Sequence, residues 1–448
     1  MRRPALAISL FCVMSCAATP AEQKPAADQQ GTPTQSAASS SAPVEHKSAP
    51  EPVGTSEPSS AGSTTTELQR IPPANAEARA EKVVVELVAH ATDNFPFTFH
   101  PSGGTTVVST HNRIAPLSER GPQLQWSSVD ISDARPPGMY GGMHVELIGG
   151  TWPTHVVGVL ADIRPRVESV RKYVRWTANA WKPWDAAPAA GGVYVAFASW
   201  GERGTLGLQH VDMWSGGDKA FDPRIDVFPK GRGPQIPNGF IPVTLTTSAT
   251  GHVYAIASEL DNHEARLIIW GPEGGAALQT LDLPDVAGRT PNAGDVRVVE
   301  DRAGAGVVIA GGVGTGAWIP YLARRDASNW TVWETPSDVL GMVDSVSRRS
   351  DTGEMWLTTS SRGASQWVAG RGDIPVPGKT WRVDRGQQWH KVEFALDRRP
   401  ENAPSPSFAP RKVVLAGSRL WVTMQIDAEV FESGWSNKPY HVLASAAL

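Results

Sequence analysis

Three side chains that could do chemistry alternate along one short stretch of the chain: Glu259, Asp261 and His263. In an extended chain, residues two positions apart point to the same side, so two carboxylates and an imidazole would converge. Such a set could bind a divalent metal, or could provide the acid and base of a hydrolase or lyase acting on glycans or lactones. The plainer interpretation is three solvated side chains in a polar loop.

Other charged residues follow segments that we predict to be second strands of successive strand pairs. In a closed ring of sheets, the loops at this position gather at one end of the central channel, which we call the mouth. Such a rim could bind a small anion, a glycan or a peptide, and solvated loop residues are the alternative. The candidate ligand-binding residues of the mouth are His111, Arg113, Asp162, Arg164, Glu202, Arg203, Glu259, Asp261, His263 and Arg362.

A repeated unit of strand, tight turn and apolar strand must position these loops. Residues 243–258 are the clearest copy, with the turn at Thr250-Gly251 and a second strand that is nearly all apolar. Related units recur at intervals of about 50 residues, the spacing typical of propeller blades. The other copies are residues 95–109, 144–160, a unit ending in 191–198, 296–310, 343–358 and 413–424.

These units predict an all-β fold, a seven-bladed β-propeller of four-stranded blades, with six or eight blades as the alternatives. Near-continuous apolar second strands fit strands that are buried on both faces. Residues 440–448 would be only the third strand of the last blade, so we expect Val83–Ala89 to supply the fourth and to close the ring.

Tryptophan is abundant, with 17 residues, and several copies occupy the predicted outer strands. The pattern is a Trp with an apolar residue three positions later, as at Trp330 and Trp389. We interpret these side chains as packing between blades, and a sugar-stacking surface is the alternative.

Two segments carry the letters Asp-x-Gly-x-x-Trp, at residues 351–356 and 384–389. They resemble the Asp-box of sialidase-like propellers, although both lack the usual Ser or Thr two residues before the Asp and the usual Thr before the Trp. In that family the Asp-box is a structural turn away from the catalytic face. The resemblance therefore implies a propeller and does not imply sialidase activity.

The N-terminus has two arginines, an apolar run and then Val13-Met14-Ser15-Cys16, which resembles the lipobox of bacterial lipoproteins. The resemblance implies lipidation of Cys16, with an incidental cysteine as the alternative, and Ala17 then favours the outer membrane, on its periplasmic or outer side. Residues 1–16 would be the signal, residues 17–80 a disordered Ala/Pro/Ser/Thr-rich tether, and residues 81–448 the propeller. A bait segment for a partner is the alternative interpretation of the tether.

Charge and cysteine content narrow the function classes. A formal net charge of −4 does not favour a nucleic-acid partner. The only cysteines are Cys12 and Cys16, so the predicted propeller has no thiolate metal site or cysteine nucleophile. No motif calls for a cofactor. We therefore predict an envelope binding or scaffold lipoprotein with a protein, peptide or glycan ligand; the alternatives are the propeller hydrolase or lyase and a component of a multi-protein envelope assembly.

Overall fold

The structure is a computed structural model that divides into two compact units, residues 1–65 and 66–448, and the residues that it describes lie in the second. It describes residues 68–71, 80–91, 96–111, 113–128, 143–162, 170–177, 180–184, 192–211, 223–229, 231–261, 263–301, 306–314, 318–326, 328–360, 365–368, 372–375, 378–385, 387–401, 403, 408–426 and 440–448. The predicted signal, Cys16 and most of the predicted tether lie outside these residues. Within them, no helix has the length and apolarity needed to cross a membrane.

The described chain consists of β-strands and one 3-10 turn, Gly201–Arg203. The strands of its first half are β1 (Leu68–Ile71), β2 (Glu81–Ala91), β3 (Thr98–Ser102), β4 (Thr105–Thr110), β5 (Arg113–Pro116), β6 (Ser127–Ser128), β7 (Met143–Thr151), β8 (His155–Asp162), β9 (Val170–Thr177), β10 (Ala180–Pro183), β11 (Gly192–Ser199), β12 (Thr205–Val211), β13 (Arg224–Phe228), β14 (Phe240–Thr247), β15 (Val253–Glu259), β16 (Ala265–Trp270) and β17 (Gln279–Asp282).

The second half continues the all-β pattern. Its strands are β18 (Val296–Glu300), β19 (Val307–Val313), β20 (Ile319–Arg325), β21 (Trp330–Trp333), β22 (Met342–Arg348), β23 (Met355–Ser360), β24 (Ser365–Val368), β25 (Gly372–Pro375), β26 (Lys379–Val383), β27 (Trp389–Leu396), β28 (Phe408–Ala416), β29 (Arg419–Ile426) and β30 (His441–Ala447). The hairpin β24–β25 is a separate two-stranded sheet.

Antiparallel groups of four strands repeat along the chain, and together they form a β-propeller arrangement. Within the described residues, five groups have all four strands in chain order: β3–β6, β7–β10, β14–β17, β18–β21, and β22, β23, β26 and β27. The predicted all-β propeller with four-stranded blades is confirmed at this level. Strands β11–β13 form a three-stranded sheet, and β28–β30 belong to an eight-stranded sheet.

Hydrophobic side chains fill the spaces between one sheet and the next. The second strands are the most deeply buried, as β19 shows, because they are covered by a sheet on each face. The last sheet packs on the first through Trp421 and Leu443 against Val108. Trp330, Trp333 and Trp389 are all buried, which confirms the packing role predicted for them.

Strand β2 joins the beginning of the chain to its end by changing partners halfway along. Glu81–Val85 pairs in parallel with β27, and Glu86–Ala91 pairs antiparallel with β30. The ring is therefore closed by the predicted segment, but only its second half is the fourth strand of the last sheet. The first half is a fifth strand on the preceding sheet.

Hydrogen bonds from the end of β27 hold this switch point. The Asp397 amide donates to the Val85 carbonyl at 2.9 Å, and the Asp397 carboxylate accepts from the Leu87 amide at 2.9 Å. Arg398 donates to the Leu87 carbonyl at 3.3 Å. These bonds satisfy backbone groups of β2 where the strand passes from one sheet to the other.

Strand β1 lies inside the segment predicted to be tether, so the folded domain begins earlier than the sequence indicated. Leu68–Ile71 pairs in parallel with β21, and the Glu334 amide donates to the Ile71 carbonyl at 3.0 Å. Ile71 is buried in the cluster that contains Trp333 and Trp389, whereas Leu68 is exposed. A four-residue strand with one buried side chain gives little signal in a sequence rich in Ala, Pro and Ser.

We expect Ile71→Ala to lower the free energy of unfolding by about 2–4 kcal/mol, because it leaves a cavity beside two tryptophans. Leu68→Ala, on the same strand but exposed, should change it by less than about 0.5 kcal/mol. Urea denaturation followed by tryptophan fluorescence measures both. Equal, small effects of the two substitutions would mean that β1 does not contribute to the folded domain.

Candidate functional site

The predicted mouth residues fall on two different ends of the sheets. His111 and Arg113 flank the turn between β4 and β5, and Glu259 begins the turn between β15 and β16; both turns follow a second strand. Arg164 and Arg362 lie outside the described residues, as does the side chain of Asp162. The structure thus describes the mouth mainly through the first and fourth sheets.

The chain through Glu259, Asp261 and His263 is a turn, and the extended geometry assumed for it is wrong. The His263 amide donates to the Glu259 carbonyl at 2.8 Å, and His263 has a φ of 62°. Alternate side chains therefore do not share a face. Among the described residues, no group of three or more His, Cys, Asp or Glu side chains is arranged to hold a metal ion.

Glu259 is part of an ion-pair network around one arginine. Arg266 contacts the carboxylates of Glu259 at 2.9 Å, Glu264 at 2.8 Å and Asp282 at 3.2 Å. Arg266 is mostly buried and its partners lie on both sides of it in the sheet, so the network ties the β15–β16 turn to the outer strand β17. This is a structural role for Glu259.

Glu202 and Arg203 are at the opposite end from the mouth, contrary to the prediction. The apolar segment 191–198 was taken to be a second strand, but β11 is the first strand of its sheet and contacts the first strands β7 and β14. The turn after β11 therefore lies at the end of the sheets that carries the turns between first and second strands and between third and fourth strands. We call this end the hairpin end. There Arg203 lies over the ring of Trp200 and pairs with Glu273 at 2.5 Å.

The two Asp-x-Gly-x-x-Trp segments form neighbouring turns at the hairpin end of one sheet. In the β26–β27 turn, the Asp384 carboxylate accepts from the Gln388 amide at 3.0 Å, and His390 lies 3.0 Å from its other oxygen. Burial disfavours the ionised carboxylate, but these hydrogen bonds outweigh that effect and hold the pKa of Asp384 below its usual value. Trp389 is buried beneath the turn.

The β22–β23 turn is built in a similar way. The Asp351 carboxylate accepts from the Thr352 amide at 2.8 Å and pairs with Arg349 at 2.6 Å, which lowers the pKa of Asp351. Gly353 has a φ of 74°, a conformation that favours glycine, and Trp356 is buried. Both segments are thus turns with a buried Trp.

Arg385 joins the two turns. Its guanidinium donates to the carbonyls of Asp351, at 2.8 Å, and Thr352. An arginine with two fixed acceptors loses little further conformational freedom if a ligand binds beside it. The turns therefore hold a basic side chain in a defined position at the hairpin end.

A cleft of about 240 Å³ opens between these turns and the neighbouring sheet. Its lining combines two guanidinium groups, a hydroxyl, an amide, a carboxylate and two apolar side chains. The lining residues are Trp333, Arg348, Thr352, Gly353, Met355, Asp384, Arg385 and Gln387.

A buried carboxylate, that of Asp301, holds the guanidinium group of Arg348 in position. Asp301, which is 1% exposed, accepts from Arg348 at 3.1 Å and from Arg324 at 2.6 Å. Arg348 and Gly353 both line the cleft, and Arg348 Nη2 lies 3.6 Å from the position that a Cβ at residue 353 would occupy. The cleft therefore presents two guanidinium groups that are already oriented.

Sequence reasoning found the two turns but did not assign a site to them. The repeated Asp-x-Gly-x-x-Trp letters located Asp384 and Thr352, and Arg385 is the residue after one of the aspartates. Arg348 gave no signal, and Trp333 was predicted only to pack between blades. The two reach the cleft from different sheets, so their proximity depends on how the sheets pack.

Neither a protein-family model nor a curated protein matches this chain. Solved structures with some similarity include Raptor from Chaetomium thermophilum, with 12% identity over 81% of this chain and 29% of that chain and a TM-score of 0.43. The Dos1 propeller has 8% identity over 80% and 77% of the two chains and a TM-score of 0.35. Prolyl oligopeptidase B from Galerina marginata has 9% identity over 80% and 52%, and a TM-score of 0.39.

The chain spans less than a third of the Raptor chain and about half of the oligopeptidase chain. At these identities and scores the similarities carry no argument about activity, ligand or partner. The fold assignment rests on the strand pairings of this chain.

Proposed function

We propose that the ring has seven blades. The eight-stranded sheet divides at the switch point of β2 into two sets, one around β22–β27 and one around β28–β30. The sheet β11–β13 packs between its neighbours as the four-stranded sheets do. Seven hydrophobic clusters, each lying between one sheet and the next, support this count. A crystal structure should have seven innermost strands around one axis, and any other number would contradict the proposal.

We also propose that the protein is a binding module and that the cleft at the hairpin end is its ligand site. The observation that carries this proposal is the pair of oriented guanidinium groups, Arg348 and Arg385, beside a hydroxyl and an amide. Pre-oriented donors at the wall of a cleft favour ligands with carboxylate or carbonyl acceptors. Trp333 and Met355 add an apolar wall, which suits a short peptide or a glycan fragment.

The hydrolase or lyase alternative required Glu259, Asp261 and His263 to lie on one side of the chain. Glu259 pairs with Arg266, and the chain from Glu259 to His263 is a turn, in which alternate side chains do not share a face. A binding function accounts for the cleft and does not require Glu259, Asp261 and His263 to act together.

We expect Arg385→Gln to weaken the binding of a cleft ligand at least about tenfold, because a charge-assisted hydrogen bond is replaced by a neutral one. The probes are a panel of short acidic peptides and of peptidoglycan-derived oligosaccharides, ranked by thermal shift and measured by calorimetry. Arg113→Gln is the matched control, an exposed arginine at the mouth.

Binding that weakens in Arg113→Gln and not in Arg385→Gln would place the ligand site at the mouth. The fold of each variant is checked by its thermal midpoint, because Arg385 also holds two backbone carbonyls. If no peptide or oligosaccharide in the panel binds in a way that depends on Arg385, the cleft is not the ligand site.

We propose that the module is tethered to the bacterial envelope through lipidated Cys16, at the outer membrane. Support comes from the apolar N-terminal run and the lipobox-like Val13-Met14-Ser15-Cys16. Two or three acyl chains on one cysteine are enough for a stable anchor, whereas a single chain is not.

Mass spectrometry of the mature N-terminus should find a diacylglycerol on Cys16, and Cys16→Ala should move the protein from the membrane fraction to the soluble fraction. Cys12→Ala is the control and should leave the protein in the membrane fraction. An unmodified Cys16 in the mature protein would contradict the proposal.

A further inference from the structure

Three charged side chains meet across the first strands of three successive sheets, away from the cleft. Arg297 is on β18, Asp344 on β22 and Lys412 on β28. Arg348, which lines the cleft, is four residues after Asp344, or about 13 Å along an extended strand. The two groups therefore belong to different levels of the ring.

Hydrogen bonds between the strands place these residues side by side. Arg297 Nη2 donates to the Val343 carbonyl at 3.3 Å, so its guanidinium crosses to the strand that carries Asp344. The next residue, Ser345, accepts from the Val413 amide at 2.8 Å, and Val413 follows Lys412. The two contacts connect the three strands at one level.

β-Bulges at this level change the direction of the side chains. The register shifts between Val343 and Ser345 in β22, and between Pro410 and Lys412 in β28. The extra residues are Asp344 and Arg411. Bulges bend a strand and re-aim its side chains, and they are frequent beside functional sites.

The first strands β11 and β14 have bulges too, where the extra residues are Val195 and Val243. A valine is therefore sufficient for the bulge itself. The bulge of β22 therefore does not require the charge of Asp344. In β28 the extra residue is Arg411, and Lys412 is the next residue and pairs with Thr423.

The ammonium group of Lys412 has no hydrogen bond or ion pair within the described part of the chain, although the Lys412 backbone pairs with Thr423 in the sheet. Burial, and then the positive charge of Arg297, lower the pKa of Lys412 to about 8, while Asp344 acts in the opposite direction. His100 on β3 is buried, and its pKa of about 3 keeps it neutral at pH 7. The group thus has two cationic side chains, one carboxylate and a neutral imidazole.

A partly buried ammonium group without a partner is unfavourable, and a bound anion would remove that cost. Lys412, Arg297 and Asp344 are each only partly buried, so a small ion can reach them. Guanidinium and ammonium groups together match the oxygen atoms of phosphate or carboxylate.

We propose that Arg297 and Lys412 form a binding site for a small oxyanion, a phosphate or carboxylate group, at the centre of the ring. Asp344 lies near them, and its negative charge favours the ammonium form of Lys412. The site is independent of the cleft and of the ligand proposed for it.

Titration of the full chain with inorganic phosphate, and separately with acetate, tests the proposal. The probe is the Lys412 side chain, followed by ¹³C NMR and assigned by its loss in Lys412→Gln. Bound phosphate should raise the pKa of Lys412 by about one unit or more, since an added negative charge stabilises the ammonium form. Phosphate affinity should fall at least about tenfold in Lys412→Gln and in Arg297→Gln.

Lys391→Gln is the matched control, because Lys391 is more exposed and already pairs with Glu393 at 3.0 Å; this variant should bind phosphate as the natural chain does. The pKa measurement needs no variant, so it stands even if Arg297→Gln folds poorly. If neither anion changes the Lys412 resonance or its pKa, the proposal is wrong. Equal weakening in Lys391→Gln would also overturn it, since that outcome indicates general charge screening.

Discussion

The pairing of β2 with two sheets is the constraint on which the rest of the structure depends. A ring of sheets has an open edge wherever the chain begins and ends, and an unpaired strand edge exposes backbone donors and acceptors. Here Glu81–Val85 covers the edge of β27, while Glu86–Ala91 completes the sheet of β30. Asp397 satisfies the backbone between these halves. Closure therefore joins residues more than 300 positions apart in sequence.

Closure also determines which surfaces can bind ligands. Once the sheets surround one axis, the turns of each sheet gather at the mouth or at the hairpin end. The cleft depends on this geometry, because Trp333 comes from one sheet while Arg348 and Arg385 come from the next. The group around Lys412 depends on it as well, since three first strands must lie side by side. Neither arrangement is formed by one sheet alone.

Charged residues in this fold have two roles that composition cannot separate. Arg266 and Asp301 are surrounded by opposite charges and hold turns to strands. Lys412 is also a cation, but burial and then the positive charge of Arg297 lower its pKa, against the effect of Asp344. Arg266 pairs with three carboxylates and stabilises the fold, whereas the Lys412 ammonium group has no ion pair in the described part of the chain and can bind a ligand. The Glu259 turn, which the sequence predicted as a candidate site, therefore has a structural role, and the proposed anion site is at the centre of the ring.

The sequence by itself determined the strand pairs, their apolar second strands, the closing segment and the two Asp-x-Gly-x-x-Trp turns. These features depend on local period and on turn chemistry, which neighbouring residues encode. Only the tertiary structure decided that β11 is a first strand, that β1 belongs to the domain and that Glu259 to His263 is a turn. It alone brought Arg297 and Lys412 together. The physical reason is that these outcomes depend on which strand covers which edge, and that pairing involves residues far apart in the chain.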